Sequence, residues 1–186
     1  MKKTLCAAAL AAALGWGAAA QADDGVIRIG FITDMSGLSA DADGPGGAEA
    51  IKMAIADFGG SVAGKKIEVL VADHQNRADI ASSRAREWLD QKGVNMLIAG
   101  ANSAAALAMA KVAEEKKTPF FVVSAGASEL TNSQCTPYTV HYVYDTVSLA
   151  RGTARAMLKE GNKDWFFLTV DHAFGQALER DASAVV

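Results

Sequence analysis

Two short turns in this sequence carry groups suited to holding a small anion: "GANS" at 100–103 and "SAGAS" at 124–128. Each offers hydroxyl or amide donors among residues no larger than alanine. The first opens onto "AAALAMAKVAEEKK", a stretch with helical composition and almost no side chain in its opening turns. A helix start leaves backbone N–H groups unpaired and carries a partial positive charge. Glycine and alanine let a ligand come close to those groups, so a carboxylate fits beside Asn102 and Ser103. The same residues also read as an ordinary helix cap, and one turn alone leaves both readings open. A second donor-rich turn after the next strand, with Ser124, Ala125 and Gly126, favours the anion, because capping does not require two such turns side by side. Two further turns, "DMSG" at 34–37 and "DHAF" at 171–174, follow other apolar runs.

Enzymatic readings of these residues are weaker. A nucleophile elbow needs Gly-x-Ser-x-Gly, and neither "GANSA" nor "VVSAG" supplies both glycines. An exported α/β serine hydrolase using Ser103 or Ser124 with His172 and Asp171 is the alternative reading. His74, His141 and His172 show no metal-ligand spacing and read as loop or surface histidines. No motif calls for a cofactor. The glycine-rich "DGPGGAE" at 43–49 lacks dinucleotide-binding spacing and reads as a flexible entry to the first helix.

The elements that must position these turns alternate along the chain. "VIRIGFIT", "KKIEVLVAD", "VNMLIAG", "TPFFVVSAG", "YTVHYVYDT" and "KDWFFLTVD" have strand composition. Amphipathic segments lie between most of them, with a short "SELTN" piece before the fifth. Such alternation predicts βαβ units and a doubly wound parallel sheet covered on both faces, an α/β fold. Gly59-Gly60, Gly93 and Gly161 each stand just past an amphipathic run, where a left-handed residue closes a helix. In "IASSRAREWLDQKG" two rows step by four, Ile80-Arg84-Trp88 and Ala81-Ala85-Leu89, predicting one packed side with Arg86 and Asp90 facing water. Ligands of open parallel sheets bind outside the carboxyl ends of the strands, where all four turns fall.

The first 22 residues pair two lysines with an apolar run and the ending Ala20-Gln21-Ala22, the pattern of a cleaved secretory signal. The run is short and alanine-rich for a membrane anchor, and Cys6 lacks the small-residue box of a lipoprotein. The expected mature chain is soluble and exported. It carries 16 basic and 21 acidic residues, a balance that disfavours nucleic acid. Cys135 then has no partner and reads either as a buried small apolar side chain or as half of a bridge to a cysteine not in this chain. "ALERDASAVV" ends in mid-helix, which predicts a chain truncated on its C-terminal side.

Together "IRIGFITDMSG", "GGAEAIKMAIADFGG", "ADHQNRAD", "GANSAAAL", "VVSAGASELT" and "VDHAFGQAL" resemble, in order and spacing, the periplasmic solute-binding proteins of ABC importers, in particular the branched-chain amino-acid (leucine/isoleucine/valine) binding type. The resemblance implies the type I periplasmic binding fold: residues 23–143 as an incomplete first lobe, a hinge crossing at 142–145, and residues 144–186 as the start of a second lobe. It implies a monomer in the periplasm that catalyses nothing and passes a carboxylate-bearing solute to an inner-membrane ABC permease. Branched-chain or other amino acids, amides and aromatic acids all suit that role, and a sensory domain is a related architecture.

By the same resemblance Ser103 holds the ligand carboxylate, Ser124 offers a backbone carbonyl to an amino group, Gly126 gives an N–H, and Phe174 closes over the ligand; Asn102 and Ala125 flank these positions. Gly126 departs from the family in lacking a side-chain hydroxyl, and the loop at 38–45 lacks the family's aromatic. Charged hydrogen bonds of about 1.5–3 kcal/mol and a helix start of about 0.3–2 fall short of the roughly 8 kcal/mol of micromolar binding once association entropy is counted. Burial by a second lobe must supply the rest, so the 186-residue chain is expected to bind weakly or not at all by itself.

Overall fold

The computed structural model describes residues 25–186; the signal segment lies outside the described residues. The chain runs β1 (Val26–Thr33), α1 (Ala40–Asp43), α2 (Pro45–Asp57), β2 (Ser61–Val62), β3 (Lys65–Asp73), α3 (Ala78–Gln91), β4 (Val94–Ala99), α4 (Ser103–Lys116) and β5 (Phe120–Val122). A 3-10 turn (Ser128–Leu130), β6 (Thr139–His141), α5 (Thr146–Lys159) and α6 (Ala173–Ser183) complete it. The six strands form one sheet in the order β2-β3-β1-β4-β5-β6, parallel except for the β2–β3 pair. β1 lies between β3 and β4, so the connections leave it in opposite directions and the switch point falls at its carboxyl end.

The main core lies on one face of the sheet, where α3 and α4 pack. Ile32, Leu97, Phe120 and Val122 meet Ala81, Ala85, Trp88, Met109 and Ala113 there. In α3 the buried row is Ala81, Ala85 and Trp88, while Arg84 faces outward and pairs with Glu87 at 2.8 Å. Stepping by four puts position 84 on the edge of the stripe, and the sheet takes the positions at 81, 85 and 88. The alanines of α4 also face inward: Ala105, Ala106, Ala110 and Ala113 are buried against this core. Their small size lets α3 and α4 approach closely, and Arg86–Glu115 and Lys116–Asp90 pairs, each at 2.6 Å, bridge the two helices at the surface. Gly59, Gly60, Gly93 and Gly161 all have positive φ just beyond the ends of helices, as their spacing predicts.

Three expectations change. "KDWFFLTVD" forms no strand: Trp165, Phe167 and Thr169 turn toward α5 and α6, whereas Phe166 is 91% and Leu168 95% exposed. The alternation is that of a strand, but a ladder needs a neighbour, and no described strand lies beside it. "DGPGGAE" is no flexible entry; Asp43 ends α1 and Pro45 opens α2 at its first position, where proline needs no N–H partner. Cys135 is exposed rather than buried. No described helix is long and apolar enough to cross a membrane.

Candidate functional site

The ends of β1, β3 and β4 open onto one cleft of about 270 Å³. Leu38 and Ser39 line it from the loop after β1, Asn76 from the loop after β3, and residues 101–104 from the turn after β4. His172, Ala173 and Phe174 close its far side from the start of α6. The two loops after β1 and β3 are shaped by carboxylates. Asp34 is fully buried and accepts from the amides of Gly37 and Ser39, each at 2.8 Å. Asp73 accepts from Met35 N, Gln75 N and the Ser36 hydroxyl at 2.5–3.0 Å. Burial pushes the Asp73 carboxyl up, but these hydrogen bonds outweigh it and hold it below its ordinary value.

At the mouth of β4, Asn102 is the cap of α4. Its Oδ1 accepts from Ala105 N at 2.8 Å and its Nδ2 donates to Asn76 Oδ1 at 2.7 Å, tying the turns after β3 and β4 together. Because the side chain of Asn102 does the capping, Ser103 is free for another role. The Ser103 hydroxyl is buried and accepts from Ala127 N at 3.3 Å, joining the turns after β4 and β5. Among the described residues the amides of Ser103 and Ala104 have no acceptor, and both residues line the cleft. An anion at this spot would meet two bare N–H groups and the positive end of a 14-residue helix.

The turn at 124–127 is not among the residues that line this cleft. Ala125 O is bonded to His141 Nε2 at 2.7 Å, and Gly126 O accepts from Thr146 N at 2.9 Å. Gly126 is covered by two rings: a Cβ added there would stand 2.8 Å from Tyr144 and 3.2 Å from Phe174. Those rings meet edge to face, with centroids 6.5 Å apart. The missing side chain at 126 is thus the space that the aromatic pair occupies. The structure brings Asn102, Ser103 and Phe174 together around the cleft; Ser124, Ala125 and Gly126 do not line it, and the turn that carries them is tied to Ser103 through the Ala127 amide.

Asp43, the last residue of α1, joins the site. Its Oδ1 accepts from Thr33 Oγ1 at 2.9 Å, and its Oδ2 is buried without a partner. Ser124 and the Ala101 amide also act on its carboxyl. Thr33 and Asp43 occupy the space that a side chain at Gly100 would fill, which is why the turn after β4 carries glycine there. Burial is the largest influence and pushes the Asp43 carboxyl above its ordinary value, against the Thr33 hydrogen bond and the nearby Ser124 hydroxyl. His74 is 1% exposed, contrary to the surface reading, and burial pushes its imidazole down despite Asp34, Asp73 and Asp43 nearby. In the sequence Asp43 stands out only as an acid two residues before the proline that opens α2; its reach to β4 is a property of the fold.

A serine–histidine relay is not formed by these groups. His172 Nδ1 accepts from Gly175 N at 3.3 Å as the cap of α6, and Asp171 accepts from Gln176 Nε2 at 3.0 Å. Among the described residues no hydrogen bond joins His172 to Ser103 or Ser124. No group of three or more His, Cys, Asp or Glu is placed to hold a metal ion among the described residues.

With this geometry in hand, comparison with known proteins gives a consistent result. The family model described as "Periplasmic binding protein" matches residues 26–186. None of the curated proteins compared matches the chain. Among solved structures, a periplasmic binding protein from Burkholderia mallei is 63% identical with a TM-score of 0.84, covering 86% of this chain and 43% of its own. A branched chain amino acid ABC transporter periplasmic ligand-binding protein from Burkholderia xenovorans LB400 is 34% identical, TM-score 0.72, covering 85% and 43%. A solute binding protein of an ABC transporter from Rhodopseudomonas palustris BisB5, in complex with 3,4-dihydroxy benzoic acid, is 30% identical, TM-score 0.76, covering 87% and 44%. The chain therefore spans less than half the length of these relatives. A match over 26–186, on a sheet whose strand ends hold the predicted turns, decides the matter: the chain belongs to the periplasmic binding protein family.

Proposed function

We propose that this chain is most of the first lobe and the start of the second lobe of a periplasmic receptor. The receptor captures a small carboxylate-bearing solute and hands it to an ABC permease without chemical change. The observation that carries this reading is the pair of unpaired amides at Ser103 and Ala104, facing a cleft at the switch point of the sheet. A cleft of about 270 Å³ sits just below the roughly 300–1,000 Å³ usual for ligand pockets, which favours a small solute. Of two relatives of comparable similarity, one is described as the periplasmic ligand-binding protein of a branched chain amino acid ABC transporter and the other was solved in complex with 3,4-dihydroxy benzoic acid.

Within that range we favour a planar aromatic acid. Gly126 supplies no hydroxyl for an α-amino-acid clamp, and the space beside it holds the Tyr144 and Phe174 rings. His172 adds a third ring, 6.3 Å from Phe174 between centroids. The test is a titration of the 186-residue chain with benzoate, leucine and benzyl alcohol at up to millimolar concentration, followed by amide chemical shifts. Shifts at residues 101–104 with benzoate, smaller ones with leucine and none with benzyl alcohol support the reading. Equal shifts with benzyl alcohol, or none at these amides with any acid, refute it.

A further inference from the structure

The anion-binding reading makes no use of a polar network that joins the 124–127 turn to α6. Asp181 Oδ2 accepts from Thr146 Oγ1 at 2.5 Å and from Ser128 Oγ at 2.8 Å. Both hydroxyl residues are buried, Thr146 at 0% and Ser128 at 1% exposure. Each is also bound to the turn itself. Thr146 N donates to Gly126 O at 2.9 Å, and Ser128 N donates to Thr146 Oγ1 at 3.1 Å. Ser128 directly follows Ala127, whose amide donates to Ser103 Oγ. Arg180 completes the ring by donating from Nη2 to Ser128 Oγ at 2.8 Å, while its guanidinium pairs with Glu129 and with Asp181 Oδ1. At the two hydroxyls donors and acceptors match: each gives its one proton to Asp181 and accepts an N–H in return.

Asp181 and Phe174 are seven residues apart on α6. Seven residues make nearly two full turns, so the two side chains share one face of the helix about 10 Å apart. Ala177, between them on that face, is buried. The helix is thus a short rod with its aromatic end over Gly126 and its carboxylate end bolted to Ser128 and Thr146.

We propose that Asp181 is a positioning residue of the binding site: by anchoring α6 to the hydroxyls of Ser128 and Thr146 it holds the Phe174 ring across Gly126. Releasing that anchor uncovers the Gly126 amide and joins the turn at 124–127 to the cleft. The functional consequence rests on the anion-binding reading, whereas the positioning stands on the network itself. The charged groups that face Asp181 are Arg180 on α6, Glu129 after β5, and Arg151 and Arg155 of α5, which line the same hollow. Burial pushes the Asp181 carboxyl up, but hydrogen bonds from Thr146, Ser128 and Arg180 outweigh it and leave it below its ordinary value. The anchor is therefore intact above the ordinary aspartate range and is lost as pH falls through the depressed value.

Hydrogen exchange on the full 186-residue chain tests this, comparing the wild type with Asp181→Ala and Thr146→Val. The valine is nearly isosteric and removes only the hydroxyl, so it decides the matter if Asp181→Ala fails to fold. Expected is roughly tenfold or faster exchange at the amides of 126–128 and along α6, the loss of one charged hydrogen bond, with β1 and β4 unchanged. Thr146→Ser keeps the hydroxyl and should restore wild-type protection. Unchanged exchange at 126–128, or an equal rise across the whole sheet, overturns the proposal. Benzoate titration of the same samples reads the anion site separately: no shift at 101–104 would sink the ligand reading and leave the exchange result to judge Asp181.

Discussion

Gly100→Ala is the sharpest probe of how the site is assembled. The position has no positive φ, so alanine meets no backbone penalty there. The whole cost is steric, because the new methyl lands on Thr33 Oγ1 and on the Asp43 carboxylate. Forcing them apart breaks the 2.9 Å Thr33–Asp43 hydrogen bond, for about 1.5–3 kcal/mol since one partner is a carboxyl group. Overpacking a rigid strand end costs about 1–3 kcal/mol when nothing can move. The two costs overlap, since relaxing the clash is what breaks the bond, so about 2–4 kcal/mol is expected. For a chain of this size that is a fall in Tm of roughly 5–15 °C. Urea unfolding of the wild type, Gly100→Ala, Asp43→Ala and the double variant closes a cycle. Removing the carboxylate takes away one of the two clashing groups and releases the Thr33 hydroxyl that it held, so the double variant should be more stable than additivity predicts by at least about 1 kcal/mol. Additive losses, or a single-variant loss below about 0.5 kcal/mol, would show that Asp43 does not bolt the loop after β1 to the turn after β4.

Other perturbations have defined outcomes. Asn102→Ala removes the cap bond to Ala105 and the tie to Asn76, and should lower unfolding stability by about 0.5–2 kcal/mol, read as a shifted urea midpoint at constant slope. Burial holds the Asp43 carboxyl above its ordinary value, so its contribution is whole below the unfolded value and is lost as pH rises through the folded one. The stability difference between wild type and Asp43→Asn should therefore shift against the wild type across that window; a difference independent of pH refutes the assignment. Leu168→Lys alters a side chain that is 95% exposed, so unfolding stability should stay within about 0.5 kcal/mol, while sedimentation shows less self-association if the bare 165–170 edge is adhesive. Equal association of both forms would remove that edge as a contact.

Much of this protein was legible along the chain because the signals are local. Strand–helix alternation needs only the switch between two-residue and 3.6-residue periods, and it fixed a parallel sheet with the 100–103 and 124–128 turns after successive strands. Helix-closing glycines at 93 and 161 follow from one residue's steric freedom, and they were placed correctly. The small-residue start of α4 is visible as composition, although its alanines face the core as much as the cleft.

What the tertiary structure alone decided involves partners far apart in sequence. Asp43 reaches Thr33, Gly100 and Ser124; His74 is sealed beside Asp34; Asp181 gathers Ser128 and Thr146. No periodicity encodes such meetings, because side-chain contacts across a sheet depend on strand order and crossover direction. The segment at 165–170 shows the converse. Its residues alternate as a strand should, yet strand structure is a hydrogen-bonded relation between two segments, and alternation within one segment cannot supply the second.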